Sequence, residues 1–282
     1  MLPLELQEWL FNEGYDWQDE QTVLGGDTCA NIVFSHRSEP PVFIKYMASA
    51  PPSFFQCEAE GLSYLSSVSN VCTPDVYAYG QSYLVLEYIR PNQLAKDFWE
   101  QLGVQLAAIH SLTRDEYGFV NDNYCGRTVQ SNKLTKDPFN FFAEQRLMVL
   151  AEKAFDLNFL AVGDLQAIEA LCLRLDNIVP YQLASLLHGD LWSGNVHSNQ
   201  LGLPVFIDPA VYYGWAETDI AMTRLFGAFD QRFYDAYQSV RPMEQGWEGR
   251  LDLYNLYPLL NHLVLFGQSY LPKVRDVLAK YA

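Results

Sequence analysis

Basic residues are scarce in this chain. Lys and Arg number 18 against 34 Asp and Glu, a formal charge of −16. Nucleic acids and anionic membrane surfaces both require a cationic footprint, so the balance argues against either as a general partner. Cysteine offers no framework. The five, Cys29, Cys57, Cys72, Cys125 and Cys172, are scattered and never spaced as C-x-x-C, which argues against a disulfide scaffold or a zinc site. No apolar run approaches the roughly 20 residues of a membrane span. The stretch MLPLELQEWLFNEGYDW is acidic and lacks the basic and apolar regions of a signal peptide. Internal repeats and low-complexity tracts are missing as well. These absences together lead to the expectation of a cytoplasmic protein.

What is present is a hydrophobic fraction of 49% over 282 residues, enough for a sizeable core in one large domain or two ordinary ones. The first 90 residues read as strands with turn residues between them. Thr22-Val23-Leu24, Asn31-Ile32-Val33-Phe34 and Val42-Phe43-Ile44-Lys45-Tyr46 are the first three. A helix is expected over 53–67, and a hairpin joins Val76–Tyr79 to Tyr83–Tyr88 around Gly80-Gln81-Ser82. After Arg90-Pro91 the pattern turns helical: Phe98, Leu102, Leu106 and Ile109 share a face, residues 138–153 form a further helix, and Asp164 caps another. One hairpin interrupts the helices, Asn195–His197 with Pro204–Asp208. The expected fold class is α+β and two-lobed: a small β-rich lobe over 1–88 and a larger, mainly helical lobe over 89–282, with a cleft between them.

The informative segment is His188-Gly189-Asp190-Leu191-Trp192-Ser193-Gly194-Asn195. Asn195 enters the first strand of the hairpin and Asp208 leaves the second. Antiparallel pairing sets these two ends side by side. An amide oxygen and a carboxylate then meet at the open end, and Asp190 on the connecting loop can face the same point. Mg2+ takes one or two protein oxygens and leaves its other positions to phosphates and water. A separate carboxylate can accept the proton of an attacking hydroxyl. The Asp190 to Asn195 spacing is that of the kinase catalytic loop, with Gly189 in place of Arg, and Asp208 stands where the later metal-binding Asp would. Any one of these residues alone could simply cap a turn; the three together match the chemistry. Lys45 on a strand and Glu58 on the next helix fit the kinase device of a phosphate Lys oriented by a helix Glu. Gly25 and Gly26 could admit a phosphate to backbone N–H groups. Glu87 and Tyr88 leave the small lobe where backbone groups would meet adenine. No G-x-x-x-x-G-K-[ST] string is present, so the site is not of the Walker type.

With those residues in hand, the chain resembles the fructosamine kinase (ketosamine-3-kinase) family, related to aminoglycoside phosphotransferases and choline kinases. The resemblance runs from Gly25 to about Tyr270. It is carried by the 188–195 string, by Asp208-Pro209-Ala210-Val211-Tyr212-Tyr213-Gly214, and by Glu217-Thr218-Asp219-Ile220-Ala221-Met222. Leu225-Phe226-Gly227 and Leu260-Asn261-His262 add to it. The resemblance implies a protein-kinase-like fold and ATP-dependent phosphorylation of a sugar hydroxyl on a ketosamine. It implies Asp190 as base, Asn195 and Asp208 as Mg2+ ligands, Lys45 and Glu58 on the ATP phosphates, and Asp219 as a brace for the catalytic loop. On the acceptor side, Trp192, Tyr213 and Trp215 could stack on a sugar or meet an ammonium group, and Glu217 could pair with the amine. His188 is expected to lie behind the loop; His110, His197 and His262 read as packed or hairpin residues. Cys29 does not align with the cysteine of some relatives, so no redox role is assigned. Other readings are an aminoglycoside, choline or homoserine kinase of the same fold, or a nucleotide-binding pseudokinase. The implied partner is a small ketosamine or a glycated lysine.

Overall fold

The computed structural model describes residues 2–15, 20–23, 29–36 and 39–281. The expected phosphate-loop glycines, Gly25 and Gly26, lie outside the described residues. Helix α1 (Leu4–Asn12) precedes β1 (Glu20–Val23), β2 (Ala30–Phe34) and β3 (Val42–Tyr46); α2 (Phe54–Ser66) follows, then β4 (Val76–Tyr79) and β5 (Tyr83–Glu87). The strands form one antiparallel sheet in the order β1-β2-β3-β5-β4. Its two faces are separated by the two-residue period of a strand. Val42, Ile44, Tyr83 and Val85 join Leu6 and Leu10 of α1 on one face. Phe43, Leu84 and Leu86 meet Phe54, Phe55, Ala59 and Leu62 of α2 on the other. Lys45 is in phase with Phe43, so the alternation that buries the sheet also aims this lysine at α2.

The second lobe is mostly helical. It contains α3 (Phe98–His110), α4 (Pro138–Phe142), α5 (Val149–Asp156), α6 (Val162–Cys172), α7 (Leu175–Ile178), α8 (Glu217–Leu225), α9 (Gln231–Val240), α10 (Trp247–Phe266) and α11 (Leu271–Tyr281). The helix expected over 138–153 is interrupted by a π-helical segment, Ala143–Met148. Asp164 is not the cap residue of α6. It sits in the first turn and its carboxylate accepts from Ala161 N at 2.9 Å, which satisfies the same helix end from inside. Among the described residues no helix is long and apolar enough to cross a membrane.

The sequence reading of a single hairpin in this lobe is corrected. β6 (Thr113–Arg114), β9 (Ala184–Leu187) and β12 (Tyr212–Gly214) make a three-stranded sheet in the order β12-β9-β6, and β7 (Asn123–Cys125) pairs with β8 (Thr128–Gln130) in a second hairpin. Strands of two to four residues are too short to show a period. The expected hairpin is present as β10 (Val196–Ser198) and β11 (Pro204–Phe206), with Val196 opposite Phe206. Ile207 N donates to Asn195 O at 3.1 Å, which closes the open end and sets Asn195 beside Asp208. Ser198 Oγ donates to Asn92 O at 2.6 Å, and Phe206 N donates to Cys72 O at 2.9 Å. The hairpin is therefore tied to the interlobe segment and to the α2–β4 connection of the first lobe.

α3 and α9 cross in unusually close contact. A Cβ on Gly103 would lie 2.3 Å from Phe233 O and 3.0 Å from Tyr237 N. Glycine at this crossing lets α9 bring Tyr237 within 2.8 Å of His110 on α3. Gly103→Ala is expected to destabilise the protein by about 1–3 kcal/mol through overpacking. A denaturant titration reads the change, and an unaltered midpoint would show that the two helices separate freely.

Candidate active site

The catalytic-loop segment begins where β9 ends. Gly189 has φ +85, and a Cβ there would sit 2.0 Å from Ala210 O, so only glycine permits the 208–211 segment to lie against the loop. The loop has no helix or strand partners for its first amides. Asp219, in the first turn of α8, supplies them: Oδ2 accepts from His188 N at 2.7 Å and Oδ1 from Gly189 N at 2.9 Å. His110 Nε2 contacts the same Oδ2 at 3.1 Å, and Tyr237 is on its other nitrogen. His188 is fully buried behind the loop; its Nε2 donates to Ile207 O at 3.0 Å and its Nδ1 accepts from Asp190 N at 3.3 Å. That pattern fixes a neutral ring with the proton on Nε2.

The floor of the cleft brings together Lys45, Glu58, Asp190, Trp192, Asn195 and Asp208, within a cavity of about 640 Å³. Lys45 Nζ contacts Glu58 Oε1 at 2.6 Å and also Asp208 Oδ1. Burial alone would push this ammonium down; the carboxylates of Asp208 and Glu58 outweigh it and hold the lysine above its ordinary value. Burial and the charge of Asp208 push the Asp190 carboxyl up to about 7, opposed by a hydrogen bond from Asn195. Asn195 Nδ2 donates to Asp190 O at 2.8 Å and to Asp190 Oδ2 at 3.1 Å. Its amide oxygen therefore turns away from Asp190. Among the described residues no three His, Cys, Asp or Glu side chains form a self-sufficient metal site. The Asn195 amide oxygen and Asp208 carboxylate are hard donors at adjoining positions, a set that fits Mg2+ completing its shell with phosphates and water.

The fructosamine kinase family model matches residues 5–282. This chain belongs to the fructosamine kinase family. Its curated relatives include an Enterococcus faecium protein named a probable ketoamine kinase, 40% identical over 92% of this chain and 94% of that protein. Another is the chloroplastic protein-ribulosamine 3-kinase of Arabidopsis thaliana, 32% identical over 98% of this chain and 87% of that one. A crystal structure of a candidate fructosamine-3-kinase from Thermobifida fusca superposes with a TM-score of 0.86 at 31% identity, covering 93% and 92% of the two chains. The fold is the two-lobed protein-kinase-like one, and the fructosamine kinase family is one of phosphotransferases that use ATP.

Within this fructosamine kinase fold, three of the expected acceptor residues are elsewhere. Tyr213 and Trp215 follow Asp208 closely in sequence, but β12 runs back along β9 into the core. Tyr213 is 9% and Trp215 2% exposed, and Arg114 lies 3.4 Å over the Tyr213 ring. Glu217 is buried in a pair with Arg250 at 2.7 and 2.8 Å and accepts from Tyr254 Oη at 2.9 Å. It joins α8 to α10 and has no free face for an amine. Glu87 and Tyr88 end β5, with Glu87 N donating to Asp75 O at 2.8 Å, and neither lines the cavity. Trp192, the fourth residue expected on the acceptor side, does line the cavity; the rings around it were not anticipated. Trp192 stands edge-on to Phe226 at 6.0 Å, Phe226 meets His262 at 5.0 Å, and His262 meets Tyr270 at 5.0 Å and Phe266 at 5.4 Å. The Leu225-Phe226-Gly227 and Leu260-Asn261-His262 strings were the available signal, although nothing in their spacing points at a cleft. The tip of the β7–β8 hairpin lines the cavity beside these rings, with Asn261 Nδ2 of α10 donating to Cys125 O at 3.2 Å.

His110 and His188 are buried and neutral, and burial holds both below the ordinary histidine value. The unfolded chain takes up protons at these positions near pH 6.5 and the folded chain does not. Stability from this source is complete above that pH and is lost as pH falls. Urea midpoints should fall from pH 7 to pH 5, and His110→Gln should flatten the acid slope. An equal slope in the variant would assign the acid sensitivity to other groups.

Proposed function

We propose that this chain transfers the terminal phosphoryl group of ATP to a sugar hydroxyl of a ketosamine, with Asp190 as base and Asn195 and Asp208 as Mg2+ ligands. The convergence of Asp190, Asn195, Asp208 and Lys45 on one cleft floor supports this most directly. Asn195 Nδ2 holds Asp190 Oδ2, which leaves Oδ1 to take the proton of the acceptor hydroxyl as its oxygen attacks phosphorus. A carboxyl near neutrality is well matched to that transfer. Lys45, kept charged by its two carboxylate neighbours, meets the phosphate oxygens, and Glu58 fixes its direction. Mg2+, held by Asn195 and Asp208, would supply positive charge to the transferring phosphoryl group. We assign the adenine edge to the backbone at Glu87 and Tyr88, outside the cavity, because β5 adjoins the strand that carries Lys45; Glu87 N is already engaged by Asp75 O, so the Glu87 carbonyl and the Tyr88 backbone would meet the base.

The acceptor lies against Trp192, Phe226, His262 and Tyr270. The carboxylates of the cavity lining, Glu58, Asp190 and Asp208, are all at the phosphate end. The protonated amine of a ketosamine therefore meets ring faces at the far end, where a cation is attracted by the aromatic quadrupole. The name of the plant relative specifies a ribulosamine 3-kinase, and we assign the 3-hydroxyl as the acceptor here. Fructosamine, ribulosamine and erythrulosamine adducts of amines or lysine all present that group.

ADP release with Mg·ATP and a panel of fructoselysine, ribuloselysine, erythruloselysine, kanamycin and choline is expected to show turnover on a ketosamine. Turnover confined to kanamycin or choline would overturn the substrate class. Asp190→Asn should lower kcat by about 10²–10⁴-fold with little change in nucleotide affinity; near-normal kcat would remove Asp190 from the role of base. Trp192→Ala should raise the ketosamine KM roughly 3- to 30-fold and leave the ATP KM unaltered. An unchanged ketosamine KM would put the acceptor elsewhere.

A further inference from the structure

Asp208 has φ +54, a left-handed conformation uncommon for a side-chain-bearing residue, and the next residue is Pro209, which further restricts it. The segment that follows must therefore be held from outside. Ala210 N donates to His188 O at 2.8 Å. The remaining grip comes from the β7–β8 hairpin. Asn123 Nδ2 donates to Val211 O at 2.8 Å, and Gln130 Nε2 donates to Ala210 O at 3.2 Å.

These two amides belong to a buried relay whose direction is fixed. Arg146, which can only donate, gives NH2 to Asn132 Oδ1 at 2.7 Å. That turns Asn132 Nδ2 towards Asn123 Oδ1 at 3.0 Å, and it leaves Asn123 Nδ2 for Val211 O. Gln130 is set the same way: Tyr257 Oη donates to its Oε1 at 2.7 Å, and its Nε2 serves Asn123 Oδ1 at 2.8 Å as well as Ala210 O. All five side chains are at most 7% exposed. Arg146 lies in the π-helical segment, whose extra residue re-aims a side chain that an uninterrupted helix would point differently. Apolar side chains could cover Ala210 and Val211 equally well. A directed set of donors does something they cannot, which is to fix where two carbonyls lie.

We propose that Asn123 and Gln130 are positioning residues for Asp208, and that the relay from Arg146 and Tyr257 sets the affinity of the metal site. The proposal rests on the reading of Asp208 as a metal ligand. Gln130→Met preserves volume and removes the donor; Tyr257→Phe removes only the hydroxyl that orients Gln130. Calorimetric titration of ADP, with and without Mg2+, reads metal-dependent binding apart from turnover. Gln130→Met is expected to weaken Mg·ADP binding on the order of tenfold, the usual size of an effect exerted through a ligand's neighbour. Metal-free ADP binding and the ketosamine KM should stay at wild-type values, and added Mg2+ should restore much of the lost kcat. Tyr257→Phe should shift the same quantities in the same direction by a smaller factor, and it carries the test if Gln130→Met does not fold. A lowered Tm with Mg·ADP affinity unchanged in the folded variants would make the relay purely structural and overturn the proposal. Wild-type ADP binding that ignores Mg2+ would overturn the metal reading itself, and this one with it.

Discussion

The chain leaves β9 at Leu187 and enters no helix until the 3-10 turn Ser193–Asn195, so the amides of His188 and Gly189 need partners that regular structure does not provide. Asp219 provides them with one buried carboxylate. Burying a carboxylate is costly unless its oxygens are fully engaged, and here they take two backbone N–H groups and face His110. The location at the start of α8 adds the favourable end of the helix dipole. His110 then links the carboxylate to α3 and, through Tyr237, to α9. The loop is thereby suspended from three helices by a single side chain. Asp190 inherits its position from that suspension, and through His188 the 207 carbonyl, next to Asp208, inherits it too.

The other half of the site follows from strand periodicity. Val42 and Ile44 must face α1 and Phe43 must face α2 for both sides of the sheet to be covered. Lys45 then has no choice of face. It arrives beside Glu58, one turn along α2 from Phe54, and its charge is held by Glu58 and by Asp208 from the other lobe. The same contact joins the lobes across the cleft, so the phosphate end of the site and the interlobe geometry are set by one ion cluster.

Much of this was legible in the sequence. The alternation of β3, the 53–67 helix and the hairpin between Asn195 and Asp208 are local patterns, and local patterns fix which face or which end a residue occupies. Three readings failed for one reason. Tyr213 and Trp215 were offered to the acceptor as rings near the catalytic segment and Glu217 as a carboxylate for the amine, but the turn at Asp208 sends the chain back beneath the loop as β12, paired with β9. Proximity in sequence there means proximity to the core. The rings that do line the cavity with Trp192 come from Phe226 and from the end of α10, and their assembly is a tertiary event that no period records. The β7–β8 hairpin escaped notice because three-residue strands carry no usable pattern.

The location of the acidic groups separates substrate classes in a way the net charge does not. The chain is acidic overall at −16, which would draw any cation towards it. Yet among the described lining residues the carboxylates are Glu58, Asp190 and Asp208, gathered with Lys45 and Asn195 on the cleft floor, and the rings of Trp192, Phe226, His262 and Tyr270 form a separate wall. A polycationic acceptor with several ammonium groups would need several carboxylates to replace its hydration, since ring faces recover only about 0.5–2 kcal/mol per cation. A ketosamine has one ammonium beside a polar sugar. On the number of carboxylates among the described lining residues, the proposed substrate is a sugar amine with its charge on one ammonium and not a polyamine.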